Sequence, residues 1–230
     1  MKLIHEIISS YAVNNPSKEA AEDSFGSLSY WELDGRSNTG AKMLQAHQKL
    51  VIIAGDSVGV YVPYVKDVII GALSAWKSGG IYIPMDDAYP AERLEYILKD
   101  ADAKAILTCH TLWDKKPLSF PADKIIFLDE ITECTSSFTP CKDITEKSPA
   151  MILYTSGTTG RPKGVLHRHE FLTHIVDWMN VTEDFCMTQD SRVGLISRFT
   201  FVATVILMFG GLLNGGTLYF APENARNDLE

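Results

Sequence analysis

The sequence predicts an α/β fold of layered parallel and mixed sheets with flanking helices, and three features carry that prediction. Short apolar runs with β-type alternation recur between segments whose apolar residues follow helical spacing, the pattern of strand–helix–strand units. The chain has 230 residues, of which 46% are apolar, enough to enclose a substantial core. No internal repeat or low-complexity tract interrupts the alternation.

Taken in order, Leu3, Ile4, Ile7, Ile8 and Tyr11 lie on one helical face, and Pro16 closes that segment. A short hairpin is expected around Gly26. Ser29, with Glu32 three residues on, forms a capping box for a helix continued by the stripe Leu33, Ala41 and Leu44. Val58–Val62 reads as a strand, Tyr64–Lys77 as a helix, Ile81–Ile83 as a strand, Ala91–Ala101 as a helix and Ala105–Thr108 as a strand. Further strands are expected at Lys124–Leu128 and Ala150–Tyr154, with a lobe boundary in the polar stretch 129–148 between them. Glu170–Trp178 reads as a helix, Arg192–Ile196 as a strand, Phe201–Leu213 as a buried helix and Gly216–Phe220 as a last strand.

A formal charge of −8 argues against a broad surface for nucleic acid or an anionic membrane, so any polyanion must be held locally. The first twenty residues lack the continuous apolar run of a signal peptide. Phe201–Leu213, the longest nearly apolar run, is well short of the roughly 20 residues of a membrane span. Cys109, Cys134, Cys141 and Cys186 have no CxxC spacing and read as buried or half-buried free thiols, which places the protein in the cytoplasm. No protein metal site is expected.

The chemistry concentrates in residues 154–164, Tyr-Thr-Ser-Gly-Thr-Thr-Gly-Arg-Pro-Lys-Gly, directly after the apolar run Ala150–Leu153. Gly157, Gly160 and Gly164 free the backbone to turn N–H groups toward an anion. The hydroxyls of Thr155, Ser156, Thr158 and Thr159 add donors, and Lys163 adds a full charge. A flexible polar loop has the same composition, but the order after a β-run, with Pro162 and Lys163 before Gly164, favours a polyphosphate cradle. It is not a Walker A loop, because Lys163 precedes its glycine and Val165 follows it, and no GxGxxG is present.

YTSGTTGRPKG is similar to the signature loop of the adenylate-forming superfamily, and the chain is identified as resembling its nonribosomal peptide synthetase adenylation domains. Leu28-Ser-Tyr-Trp-Glu-Leu33 resembles the first core motif of those domains. Trp76–Asp86, continued by Tyr89-Pro-Ala-Glu-Arg93, resembles the second, and Phe209–Tyr219 resembles the stretch after the fourth. The resemblance implies that 1–230 is an incomplete N-terminal large subdomain of such a ligase. It implies a carboxylic acid substrate attacking the α-phosphate of Mg-ATP to give an acyl-adenylate and pyrophosphate. The acyl group then passes to a thiol, either phosphopantetheine on a carrier protein or CoA. Lys163 takes the catalytic role of stabilising charge on the departing pyrophosphate, with Thr155–Gly160 and Gly164 as the ATP-binding loop.

Where amino-acid-activating relatives carry a Phe-Asp pair whose aspartate meets the substrate ammonium, counting back from Phe209 gives Phe201 and Val202. Val202, Ala203 and Ile206 then form an apolar wall that suits an acid without an α-amino group, such as an aryl, keto, hydroxy or aliphatic acid. An alignment shifted by a residue or two, or an amino group met by a residue beyond position 230, are the alternatives. The family's adenine- and ribose-binding motifs, metal-binding Glu and second catalytic lysine are expected after Glu230, so the chain alone is expected to be inactive. The competing reading is a non-catalytic fragment that binds nucleotide weakly or serves as an interaction module.

Other candidates read as structural. His167, Arg168 and His169 suit a helix-entry surface, Asp86 and Asp87 a solvated turn, and Trp31, Trp76 and Trp178 core or half-buried positions.

Overall fold

The computed structural model describes residues 3–46, 51–63, 66–132, 134–135, 138–155, 161–182 and 186–222. α1 (Ile4–Asn14) leads into the hairpin strands β1 (Glu19–Asp23) and β2 (Gly26–Ser29) and then α2 (Tyr30–Ala46). The box at the start of α2 forms as expected: the Ser29 N–H donates to Glu32 Oε2 at 2.8 Å and the Glu32 N–H to Ser29 Oγ at 3.2 Å. β3 (Ser57–Tyr61), α3 (Asp67–Ser78), β4 (Ile81–Met85), α4 (Ala91–Asp100), β5 (Ala105–Thr108) and the short α5 (His110–Trp113) continue the alternation. They are followed by β6 (Ile125–Phe127), β7 (Pro149–Thr155), β8 (Lys163–Arg168), α6 (His169–Val181), β9 (Arg192–Leu195), α7 (Val202–Leu213) and β10 (Thr217–Phe220). Tyr64, expected to open the third helix, lies outside the described residues.

The strands form two sheets. One has the order β6-β5-β3-β4-β7-β8, parallel except for the antiparallel β7–β8 pair; the other has the order β2-β1-β10-β9, with β1, β10 and β9 parallel. The central strands of the larger sheet are buried on both faces, as a parallel sheet covered by helices requires. Val58 and Val60 face the main core, which also takes in β1, β9, β10 and the helices α1, α3 and α7. Tyr61, Ile83, Met85 and Ile106 face a second core under α4 and α5, with Leu94, Ile97 and Leu112.

Trp76 joins these parts. It is fully buried, donates its Nε1–H to the Ala150 carbonyl at 2.6 Å, and packs on Phe209 of α7 with ring centroids 4.6 Å apart. Gly79 then ends α3 at φ +96°, a left-handed cap that only glycine adopts without strain. Stretch 129–148 lies against α2 and α3: Asn38 donates to the Thr135 carbonyl at 3.0 Å and the Cys141 N–H to the Lys77 carbonyl at 2.9 Å. Lys77 itself is 1% exposed, its ammonium held by Asp34 Oδ1, Ser37 Oγ and Asn38 Oδ1, each at 2.8 Å. Burial lowers its pKa, while burial of Asp34 is outweighed by the Lys77 ammonium, which holds that carboxyl below its ordinary value.

Two elements differ from expectation. The helix expected to be buried from Phe201 onward emerges from the protein at its start, with Phe201 58% and Val202 42% exposed; burial begins at Thr204 and Val205. Of the tryptophans, Trp76 is core, but Trp31 and Trp178 are surface residues at 48% and 61% exposure, because each sits on the outer side of its helix.

Candidate functional site

β7 ends at Thr155 and β8 begins at Lys163, and these two residues are register partners. The loop between them is therefore closed at its base by a pair of hydrogen-bonded strands. Thr155 and Lys163 are both exposed at its mouth, at the carboxyl end of the parallel strands, where α/β sheets place ligands. Ser156, Gly157, Thr158, Thr159 and Gly160 lie outside the described residues.

The base is rigid. Tyr154 donates its hydroxyl to Asp100 Oδ2 at 2.8 Å, tying β7 to the end of α4. Burial, together with the Asp100 carboxylate, pushes the Tyr154 hydroxyl above its ordinary pKa and keeps it protonated as a donor. Gly164 stands opposite Tyr154, and a Cβ there would lie 2.8 Å from Ile152 Cγ2 and 3.1 Å from Tyr154 Cζ. Glycine is thus required here for packing, whereas its backbone is ordinary extended strand rather than a conformation only glycine adopts. Beside the loop, Arg161 lines a cavity of about 490 Å³ with Tyr96, Lys99 and Asp100. Arg161 and Lys99 add cationic groups that the sequence alone did not single out; the arginine's place inside the signature was the available signal.

The expected substrate wall divides. Ala203 lines a groove of about 430 Å³ with Gly194, Leu195, Ile196, Ser197, Phe201, Thr204 and Leu207. Val202 stands exposed at the first position of α7, and Ile206 packs against the main core. Neither is part of the groove lining.

Several residues expected at the surface or in solvated turns are placed differently. His169 is no surface residue: it is 2% exposed, edge-on to Trp76 and to His5, and burial lowers its pKa to about 4. Arg168 does lie at the surface, and His167 packs on Phe171. Asp86 is 1% exposed rather than solvated, because Arg198 reaches across to donate to its Oδ1 at 2.6 Å. The same oxygen accepts the Ala88 N–H at 2.9 Å and keeps the expected turn. Cys186 is exposed, unlike the buried Cys109 and the half-buried Cys134 and Cys141. Among the described residues no three His, Cys, Asp or Glu side chains converge as a metal set, and no helix is long and apolar enough to cross a membrane.

Residues 9–230 match the family described as AMP-binding enzyme. The chain belongs to that family. Among AMP-binding relatives, a plipastatin synthase of Bacillus subtilis (strain 168) is 35% identical over 205 residues, covering 87% of this chain and 8% of the relative. Tyrocidine synthase 1 of Brevibacillus parabrevis is 31% identical over 232 residues, covering 99% of this chain and 21% of the relative. The fold superimposes on the nonribosomal peptide synthetase FmoA3 in its α-methyl-L-serine-AMP bound form with a TM-score of 0.84 and 29% identity, covering 96% of this chain and 24% of that one. The chain thus spans a small part of the synthetases it matches.

Proposed function

We propose that this chain is the phosphate-binding part, within the large N-terminal subdomain, of a cytoplasmic adenylate-forming ligase. The ligase joins a carboxylic acid to AMP at the expense of ATP and passes the acyl group to a thiol, phosphopantetheine on a carrier protein or CoA. The observation that carries the reading is the pairing of Thr155 with Lys163 at the mouth of the signature loop, in a chain of the AMP-binding family.

As the acid's carboxylate attacks the α-phosphate, negative charge grows on the departing pyrophosphate. A cation anchored on a strand end meets that charge without reorganising, which lowers the barrier more than it tightens ground-state binding. Lys163 supplies this cation, Arg161 stands two residues away, and Mg²⁺ arrives on the ATP phosphates. The acid itself is best matched without an α-amino group. The groove lining carries no carboxylate, and an ammonium at Val202 faces the positive end of α7.

The test is calorimetric titration of Mg-pyrophosphate and Mg-ATP into the chain and into Lys163→Ala. Binding by the wild type that falls at least tenfold in the variant supports the cradle. Equal binding by both proteins removes Lys163 from the site.

A further inference from the structure

We infer that Arg198 is the group that receives the acid's carboxylate, an assignment that rests on the ligase reading above. Tyr82 of β4 pairs in parallel with Met151 of β7. β4 ends at Met85 and β7 at Thr155, so Asp86 and the start of the phosphate loop both follow the carboxyl ends of neighbouring strands. Arg198 is bound to Asp86 at 2.6 Å, so its guanidinium stands at this same strand end. It also stands at the head of the groove, because its chain neighbour Ser197 and the α7 entry residue Phe201 both belong to the lining. The Arg198 carbonyl accepts the Phe201 N–H at 3.1 Å, and Tyr89 Oη lies 3.4 Å from Thr200 Oγ1, so the whole segment is pinned.

An acid whose apolar tail lies along Phe201, Ala203 and Leu207 would therefore place its carboxylate beside Arg198, at the carboxyl end of β4. Asp86 engages the guanidinium through Nη1, and the side chain remains 43% exposed, which leaves its outer edge for a carboxylate. The local charge permits this. Asp86 and Asp87, the latter 3.9 Å from Nη1, both face Arg198, and two further cations stand on the same turn. Lys116 Nζ donates to the Asp87 carbonyl at 2.9 Å, and the Arg93 guanidinium lies 4.0 Å from the Tyr89 ring centroid. Both of these cations sit on the turn that follows Asp86. Arginine's planar fork suits this task because one edge can hold Asp86 while another orients a second carboxylate. It also reduces the repulsion between the two reacting anions.

The experiment is fluorine NMR titration of 4-fluorobenzoate, and of neutral 4-fluorobenzamide as its uncharged match, against the wild type, Arg198→Gln and Arg198→Lys. The expected result is a carboxylate preference of at least tenfold in the wild type. That preference disappears in Arg198→Gln with benzamide affinity unchanged, and partly returns in Arg198→Lys. A merely structural arginine would weaken both probes together, and that result overturns the assignment. So does a wild type that binds neither probe or shows no preference. Pyrophosphate binding, measured in parallel on Arg198→Gln, tests the ligase reading separately and is expected to stay within twofold of wild type.

Discussion

Thr155 and Lys163 face each other as the last register pair of the β7–β8 hairpin, so the signature loop leaves and re-enters the sheet at one point. Because Lys163 is exposed, Lys163→Ala should change unfolding free energy by less than about 0.5 kcal/mol while weakening pyrophosphate binding. Denaturant unfolding beside calorimetry separates the two effects.

Gly164→Val should lower stability as well as binding. Its side chain would collide with Ile152 and Tyr154 across the hairpin, at a cost of about 1–3 kcal/mol in stability. Pyrophosphate binding should fall with the loss of register, and a crystal structure or amide exchange of β8 would report the shift.

Acid should weaken the core through His5 and His169. Burial, with His169 and the Lys77 ammonium opposing Asp34, lowers the pKa of His5 to about 3, and burial lowers that of His169 to about 4. Unfolded imidazoles protonate near pH 6.5, so between that pH and about 4 the unfolded state binds more protons and stability falls as pH falls. Each imidazole should cost about 2 kcal/mol between pH 6.5 and 5. Stability curves for His5→Phe and His169→Phe should each be flatter across this window; superimposable curves would refute the assignment.

Trp76→Phe keeps the aromatic contact with Phe209 but strands the Ala150 carbonyl and leaves space behind the smaller ring. A loss of about 2 kcal/mol is expected by urea unfolding.

Lys77→Met should cost about 3 kcal/mol, because Asp34 loses its cation inside the α2–α3 contact. Adding Asp34→Leu should recover part of that loss, since the unpaired carboxylate is the main penalty. A double-mutant cycle measures the recovery.

Much of the architecture was legible because its determinants are local. The Ser29–Glu32 box, the alternating Val58 and Val60, and the stripe through α4 each specify an element within a few residues. β8 was not legible: its residues are exposed or half-buried, so no burial pattern marks it, and only pairing with β7 makes it a strand. The loop's position directly after a β-run was readable from residue order. The Asp86–Arg198 bond was not, since it joins residues 112 positions apart and neither belongs to a local motif of opposite charges. His169 misled for a related reason. Polar neighbours in sequence suggest a surface, whereas the ring's environment is set by Trp76 and His5 from two other helices.

The pairing of β1 with β10 has a consequence for biosynthesis. Ala21 meets Leu218, and the Tyr30 hydroxyl donates to the carbonyl of Gly216 at 2.8 Å. At a synthesis rate of roughly 5–20 residues per second, the first hairpin waits roughly 10–40 s for its permanent neighbour to leave the ribosome. During that interval one edge of β1 is open to any other strand, including that of a nascent chain on the same messenger. The smaller sheet is therefore completed only late in synthesis, and slowing translation should lower the soluble yield.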